Sequence, residues 1–298
     1  MLKRRLMFAR IFTPFTARDG ETLAVYHWQT DVSSKPPEDS AEPARGVVLM
    51  VHGLGEHAGR YEHVANNLCK WGFEVCAYDQ RGHGESTGVR GTLPTSAALL
   101  DDLAEVVDHT LQQYPGLPLI LLGHSLGGLV TSCFVSSGMR PVDALVLSSP
   151  AFDAGLSAFQ KLLLKLLPTI VPNLCVANGL NVNFISRDPQ VVQAYVSDRL
   201  VHNKISSRLG KFIATAGPAT VAAAARWRIP TLLMYAGADK LVNPAGSRRF
   251  AALATASNAV KPGTVTAKCF DGYYHELFNE LQPAPVFEML ETWLDARF

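Results

Sequence analysis

The hexapeptide Gly123-His124-Ser125-Leu126-Gly127-Gly128 follows directly on an apolar run at residues 117–122. An apolar run of this length, ended by glycine, reads as a buried strand, and Leu126-Gly127-Gly128-Leu129-Val130 reads as the start of a helix. A strand that passes straight into a helix through Gly-x-Ser-x-Gly has little conformational choice. The serine takes a strained turn that raises its hydroxyl above the sheet edge, and the glycines stand where a Cβ would strike neighbouring backbone. Unpaired N–H groups at the helix start then face any negative charge that develops beside that hydroxyl. The pattern predicts a nucleophilic serine. A glycine-rich connection carrying an ordinary serine is the other reading of the same residues.

Strands and helices alternate along most of the chain. Residues 12–28 read as a hairpin around Asp19-Gly20, and residues 31–46, rich in Pro, Ser and Glu, as a surface loop. Strand patterns recur at 47–51, 73–78, 117–122, 144–147, 231–235 and 265–270. Helical periodicity falls at 61–71, at 96–114 and from about 285 onward. Asp101, Asp102 and Glu105 are expected on the solvated face of the 96–114 helix. This order predicts an α/β fold: a mostly parallel central sheet with helices on both faces and ligands bound at the carboxyl ends of its strands. The alternation stops at residues 151–217, which hold several prolines and a conspicuously apolar helix pattern at 156–167. We expect a helical cap insertion there, between core parts at 1–150 and 218–298. On that helix Ser157, Lys161 and Lys165 form one narrow polar stripe. The helix either packs as a cap with its lysines in solvent, or it meets lipid or an apolar ligand while the lysines snorkel.

The chain has 298 residues, with 27 Lys plus Arg against 26 Asp plus Glu, so no field attracts nucleic acid. Its five cysteines are scattered without a Cys-x-x-Cys pair, and read as small buried hydrophobes in a reducing compartment. The basic start at residues 1–10 is interrupted by Arg10 and lacks a cleavage site, so it reads as a mature N-terminus. No stretch approaches the roughly 18 uninterrupted apolar residues of a membrane span. These features together suggest a cytoplasmic protein that at most rests on a membrane through its cap. Gly53-x-Gly55 and Gly82-x-Gly84 do not extend to Gly-x-Gly-x-x-Gly, no Gly-Lys-Ser/Thr occurs, and His52 and His57 are wrongly spaced for a zinc helix. No cofactor and no metal are expected.

A serine hydroxyl attacks only when a base takes its proton, and that base needs an acid to orient it. In this fold class the partners follow the serine in the order acid, then histidine, each on a loop at the carboxyl edge. Asp239 follows the strand at 231–235, and His275 follows the strand at 265–270. Asp271 also lies near a strand end and is the alternative acid. The turn Val51-His52-Gly53-Leu54 can present the Leu54 N–H to an oxyanion, together with the N–H of Leu126.

Three stretches together resemble the monoacylglycerol lipases, the monoglyceride lipase and lysophospholipase branch of the α/β-hydrolases. They are His52-Gly53-Leu54-Gly55-Glu56-His57 with Arg60-Tyr61, then Tyr78-Asp79-Gln80-Arg81-Gly82-His83-Gly84-Glu85-Ser86, and the hexapeptide around Ser125. The resemblance runs over essentially the whole chain, including Ser148-Ser149-Pro150 and Gly237-Ala238-Asp239. It implies the α/β-hydrolase fold, the triad Ser125, Asp239 and His275, and oxyanion donors Leu54 and Leu126. It also implies that Glu56 and Arg60 brace the first loop and border an alcohol pocket, and that Tyr195, near Asp198, reaches the leaving alcohol. Leu156, Phe159, Leu163 and Phe184 are the implied lining of an acyl tunnel. The activity implied is hydrolysis of a lipid ester, monoacylglycerol first, with a broad short-chain carboxylesterase or lysophospholipase as the alternative. A non-catalytic binding protein on the same fold is the reading furthest from these.

Overall fold

The hairpin at the start of the chain closes where glycine permits it. Gly20 takes φ +89°, and its N–H donates to the Ala17 carbonyl at 2.9 Å, so β1 (Phe8–Thr16) returns as β2 (Thr22–Thr30) in antiparallel register. This computed structural model describes residues 8–30, 43–257 and 259–298. The basic start and most of the Pro-rich stretch at 31–46 therefore lie outside the described residues. Strands β3 (Val47–Val51), β4 (Glu74–Tyr78), β5 (Leu119–His124) and β6 (Ala144–Ser148) follow. Two three-residue strands, β7 (Cys175–Ala177) and β8 (Lys204–Ser206), pair only with each other, and β9 (Thr231–Ala236) and β10 (Val265–Phe270) complete the set. The main sheet has eight strands in the order β1-β2-β4-β3-β5-β6-β9-β10. Within this sheet, among the described residues, β1–β2 and β2–β4 are antiparallel. Every other pair in the main sheet is parallel.

The central strands read as unbroken apolar runs because both of their faces are covered. Leu49, Val51, Leu121 and Leu147 point into one core with α2 (Ala98–Gln113) and α3 (Leu126–Ser137). Val48, Met50, Ile120 and Val146 point into the other with α1 (Glu62–Lys70) and, from the far end of the chain, Leu290 and Leu294. Each such leucine or valine contributes about 1.5–3 kcal/mol when fully buried. One expectation on α2 is corrected: Asp102 is 2% exposed rather than solvated. It accepts from Arg81 Nε at 2.6 Å and Nη2 at 2.5 Å, so an ion pair takes an acidic side chain into the interior.

Between β6 and β9 the chain leaves the sheet. It forms α4 (Ala158–Ile170), α5 (Pro189–Ser197) and α6 (Ser207–Ala223), the last of which passes residue 217 without a break. The β7–β8 ribbon was not foreseen, because a three-residue strand is too short to show a period. Two more helices, α7 (Ala245–Ala256) and α8 (Ala284–Asp295), return to the sheet. Parallel register aligns the strand ends: Val51 lies opposite Gly123, His124 opposite Ser148, and Phe270 opposite Ala236. The loops after β3, β5, β9 and β10 therefore leave from one edge.

Candidate active site

Ser125 stands between β5 and α3 with φ 52° and ψ −116°. That conformation is costly for a residue with a Cβ and persists only when its surroundings determine it. Here its N–H donates to Ser148 O at 3.0 Å, and its carbonyl accepts from Leu129 N and Ala151 N, both at 3.0 Å. The glycines behave as the motif requires. A methyl group at Gly123 would stand 2.5 Å from Thr131 Oγ1 and 2.6 Å from the Gly127 carbonyl. Leu126 opens α3, so its N–H has no intrahelical acceptor.

Asp239 and His275 meet across the loops after β9 and β10. Oδ2 of Asp239 accepts from His275 Nδ1 at 2.7 Å, while Oδ1 accepts from Leu241 N at 2.9 Å and Val242 N at 3.0 Å. The side chains are 3% and 6% exposed, respectively. Burial raises the Asp239 carboxyl, but His275 and the two backbone donors outweigh it and hold the group below its ordinary value. Burial pulls the His275 imidazole down, and the carboxylates of Asp239, Glu276 and Glu56 together more than reverse this, so the ring is held above its ordinary value. With Nδ1 facing Asp239, Nε2 is the nitrogen available to take a proton. Asp271 lies elsewhere: its Oδ1 accepts from Cys269 Sγ at 3.3 Å. His124 packs its ring 4.7 Å from that of His275 and is held down at about 4, by burial and by His275. It stays neutral beside the His275 ring.

The loop after β3 is braced from below. His52 Nε2 accepts from Gln80 N at 2.9 Å, so its Nδ1 carries the proton and donates to Gly53 O at 2.7 Å. Glu56 Oε1 accepts from Gly53 N at 2.6 Å and from Tyr61 OH at 2.7 Å, while Oε2 accepts from Arg60 Nη1 at 2.5 Å. Arg60 also forks onto Glu276 at 2.7 and 2.8 Å. Burial raises the Glu56 carboxyl, yet Arg60 and the neighbouring histidines hold it down at about 2. The Tyr195 ring lies 4.6 Å from the Arg60 guanidinium carbon. The segment between β6 and β9 joins the same loop through His57 Nε2 and Asp198 Oδ2 at 2.8 Å and through His202 N donating to Gly55 O at 2.8 Å.

Ser125, His275, Leu54 and Leu126 share the wall of one cavity of about 350 Å³. Leu156 and Leu163 also line it, together with Leu164 and Leu167 of α4, Gly210 and Ile213 of α6, and Leu241 and Val242 beside Asp239. Glu56, Arg60, Tyr195 and Phe184 are not in that wall. The first three form the brace, and Phe184 packs its ring 5.8 Å from Tyr274 with Lys240 Nζ 4.3 Å above it. The Phe159 side chain lies outside the described residues. The α6 wall was missed in the sequence because a glycine and an isoleucine on a helix carry no pattern of their own. Leu241-Val242 could have been found, as the apolar pair just after the candidate acid. A buried Asp–His pair, a serine on a strained turn and an apolar cavity can together perform acyl transfer from a water-insoluble chain.

A family model described as serine aminopeptidase, S33 matches residues 42–282. The chain is 35% identical to the monoacylglycerol lipase of Mycolicibacterium smegmatis over 84% of its length and 88% of the relative's. It is 31% identical to the phospholipase YtpA of Bacillus subtilis over 84% of its length and 95% of that protein. Among solved structures, the monoacylglycerol lipase of Paleococcus ferrophilus superposes with a TM-score of 0.76 at 30% identity, covering 98% of this chain and 99% of that one.

Proposed function

The chain belongs to the serine aminopeptidase S33 family of α/β-hydrolases, and from that membership we propose that it cleaves monoacylglycerols to glycerol and fatty acid. It is a carboxylic ester hydrolase. In our reading Ser125 Oγ attacks the ester carbonyl while His275 Nε2 takes its proton. The N–H groups of Leu54 and Leu126 hold the oxyanion. Collapse of the tetrahedral intermediate breaks the bond to the glycerol oxygen, which receives the proton from His275. Water, deprotonated by the same nitrogen, then releases the fatty acid from Ser125. Asp239 remains ionised throughout and stabilises the imidazolium.

The observation that carries this reading is the continuity of Ser125 and His275 with a leucine-rich cavity. Each methylene buried there contributes about 0.8 kcal/mol, which favours a fatty chain over a short acid. We take residues 151–217 as the cap that supplies much of that wall. Leu162, Leu166 and Ile170 recur every four residues along α4 and are exposed, and we assign them to contact with a lipid surface. Among the described residues no helix is long and apolar enough to cross a membrane. The relative named a phospholipase supports a second reading, lysophospholipid hydrolysis by the same machinery.

The test is hydrolysis of monoacylglycerols, lysophosphatidylcholine and p-nitrophenyl esters from C2 to C16, with Ser125→Ala as control. Serine-dependent turnover that peaks on medium or long monoacylglycerols supports the proposal. A peak on the lysophospholipid selects the second reading, and activity confined to the shortest esters rejects both.

A further inference from the structure

We infer that Gly210 sets the length of acyl chain this enzyme accepts, because the side chain missing from α6 opposite Leu164 is what keeps the cavity open into the cap. The inference rests on the hydrolase reading above for its substrate class and on the cavity geometry for its mechanism. Glycine inside a helix weakens it, so a glycine in mid-helix needs a reason. Backbone conformation does not supply one, since Gly210 is not among the glycines with positive φ. Packing against backbone does not supply one either, and Gly217 in the same helix shows the contrast. A Cβ at Gly217 would stand 2.5 Å from the Phe152 carbonyl. A Cβ at Gly210 would meet the Cδ2 of Leu164 at 3.0 Å, and its next neighbours lie at 3.9 and 4.0 Å. The atom at 3.0 Å is the end of a flexible side chain. A side chain at 210 would therefore press on Leu164, which lines the same cavity, and push it into the passage.

Its place along the cavity follows from the two ends of α6. Near the C-terminal end, Gly217 abuts the carbonyls of Phe152 and Ala151, and Ala151 N is bonded to the Ser125 carbonyl. At the other end Ser207 N donates to Leu174 O at 3.0 Å and Ser207 Oγ to Val171 O at 2.6 Å, deep in the cap. Ile213, Gly210 and Ser206 all line the cavity, so they step from the reacting end toward the far end. A helix rises about 1.5 Å per residue, which puts Gly210 roughly 5 Å beyond Ile213. A side chain there would close the passage past Leu164 while leaving the region around Ser125 unchanged.

The experiment compares Gly210→Leu and the milder Gly210→Ala with the wild type on p-nitrophenyl esters from C4 to C16. It also measures the thermal stabilisation of each protein by octanoic and palmitic acid. In Gly210→Leu we expect the ratio of kcat/KM on the C16 ester to that on the C4 ester to fall at least tenfold below the wild-type ratio. The long esters should lose roughly fourfold for each methylene that no longer fits. Gly210→Ala should show the same trend over fewer methylenes, and adding Leu164→Ala to Gly210→Leu should restore long-chain turnover. Palmitic acid should stabilise the wild type and not Gly210→Leu. An unchanged chain-length profile in both variants, or an equal loss at every length, overturns the inference. If the wild type hydrolyses no ester, the functional reading fails, and the fatty-acid shift alone decides whether Gly210 governs the cavity.

Discussion

Gly127, in the first turn of α3, packs against the end of β3 so closely that a methyl group on its Cα would stand 2.0 Å from the carbonyl oxygen of Val51. The nucleophile turn and the loop proposed to carry an oxyanion donor are thus in backbone contact. Overpacking of this kind costs about 1–3 kcal/mol and more when backbone must yield. Gly127→Ala should lower the urea midpoint and reduce kcat/KM at least tenfold. An unchanged midpoint and rate would show that the contact is slack.

Removing the proposed nucleophile isolates the chemistry from the fold. Ser125→Ala should cut kcat by at least about 10⁴-fold while circular dichroism and Tm stay close to wild type. A folded variant that keeps a tenth of the activity would rule Ser125 out.

The Asp239–His275 contact makes a signed prediction about pH. His275 must be neutral to act as base, and its pKa lies above the ordinary 6.5 because Asp239, with Glu276 and Glu56, outweighs burial. The kcat/KM profile should therefore fall as pH drops through a value above 6.5. Asp239→Asn removes the raising charge, so the residual acid limb should move to lower pH, with a rate loss of up to about 10⁴-fold. An acid limb that stays in place would mean another group titrates there.

Arg60 neutralises two buried carboxylates, Glu56 and Glu276. Arg60→Met should destabilise the protein by about 3–5 kcal/mol in urea unfolding, since both charges lose their partner. Glu56 is held at about 2 against an ordinary 4.5, so the stability it contributes is full above pH 4.5 and is lost as pH falls through about 2. Arg60→Met should raise the Glu56 value and move acid unfolding to higher pH. A variant as acid-resistant as wild type would deny Arg60 this role.

The exposed stripe on α4 separates surface binding from catalysis. Replacing Leu162, Leu166 and Ile170 together by Gln should reduce turnover of monoacylglycerol in phospholipid vesicles several-fold and leave soluble C4 esters unaffected. Co-sedimentation with the vesicles checks the cause, and equal binding by both proteins would remove the stripe from any membrane role.

Much of this was legible because local sequence carries local geometry. The strand at 47–51 could be read to the residue, since a strand buried on both faces leaves an unbroken apolar run. Ser125 was legible because only glycine fits beside it. Asp239 and His275 were legible as strand-end residues in the right order, while the choice between Asp239 and Asp271 needed the 2.7 Å contact to His275. Asp102 was misjudged because helical period places it beside acidic neighbours, and its partner Arg81 comes from another part of the chain.

The sequence by itself determined the alternation of elements, the strained turn at Ser125 and the edge of the sheet where chemistry would gather, because steric and hydrophobic constraints act between near neighbours. Only the tertiary structure decided which acid faces His275, that Phe184 packs on Tyr274 rather than in the cavity wall, and that Gly210 lies against Leu164 in that wall. Those depend on side chains far apart in the chain, and the shape of a cavity is a property of the gaps they leave when packed.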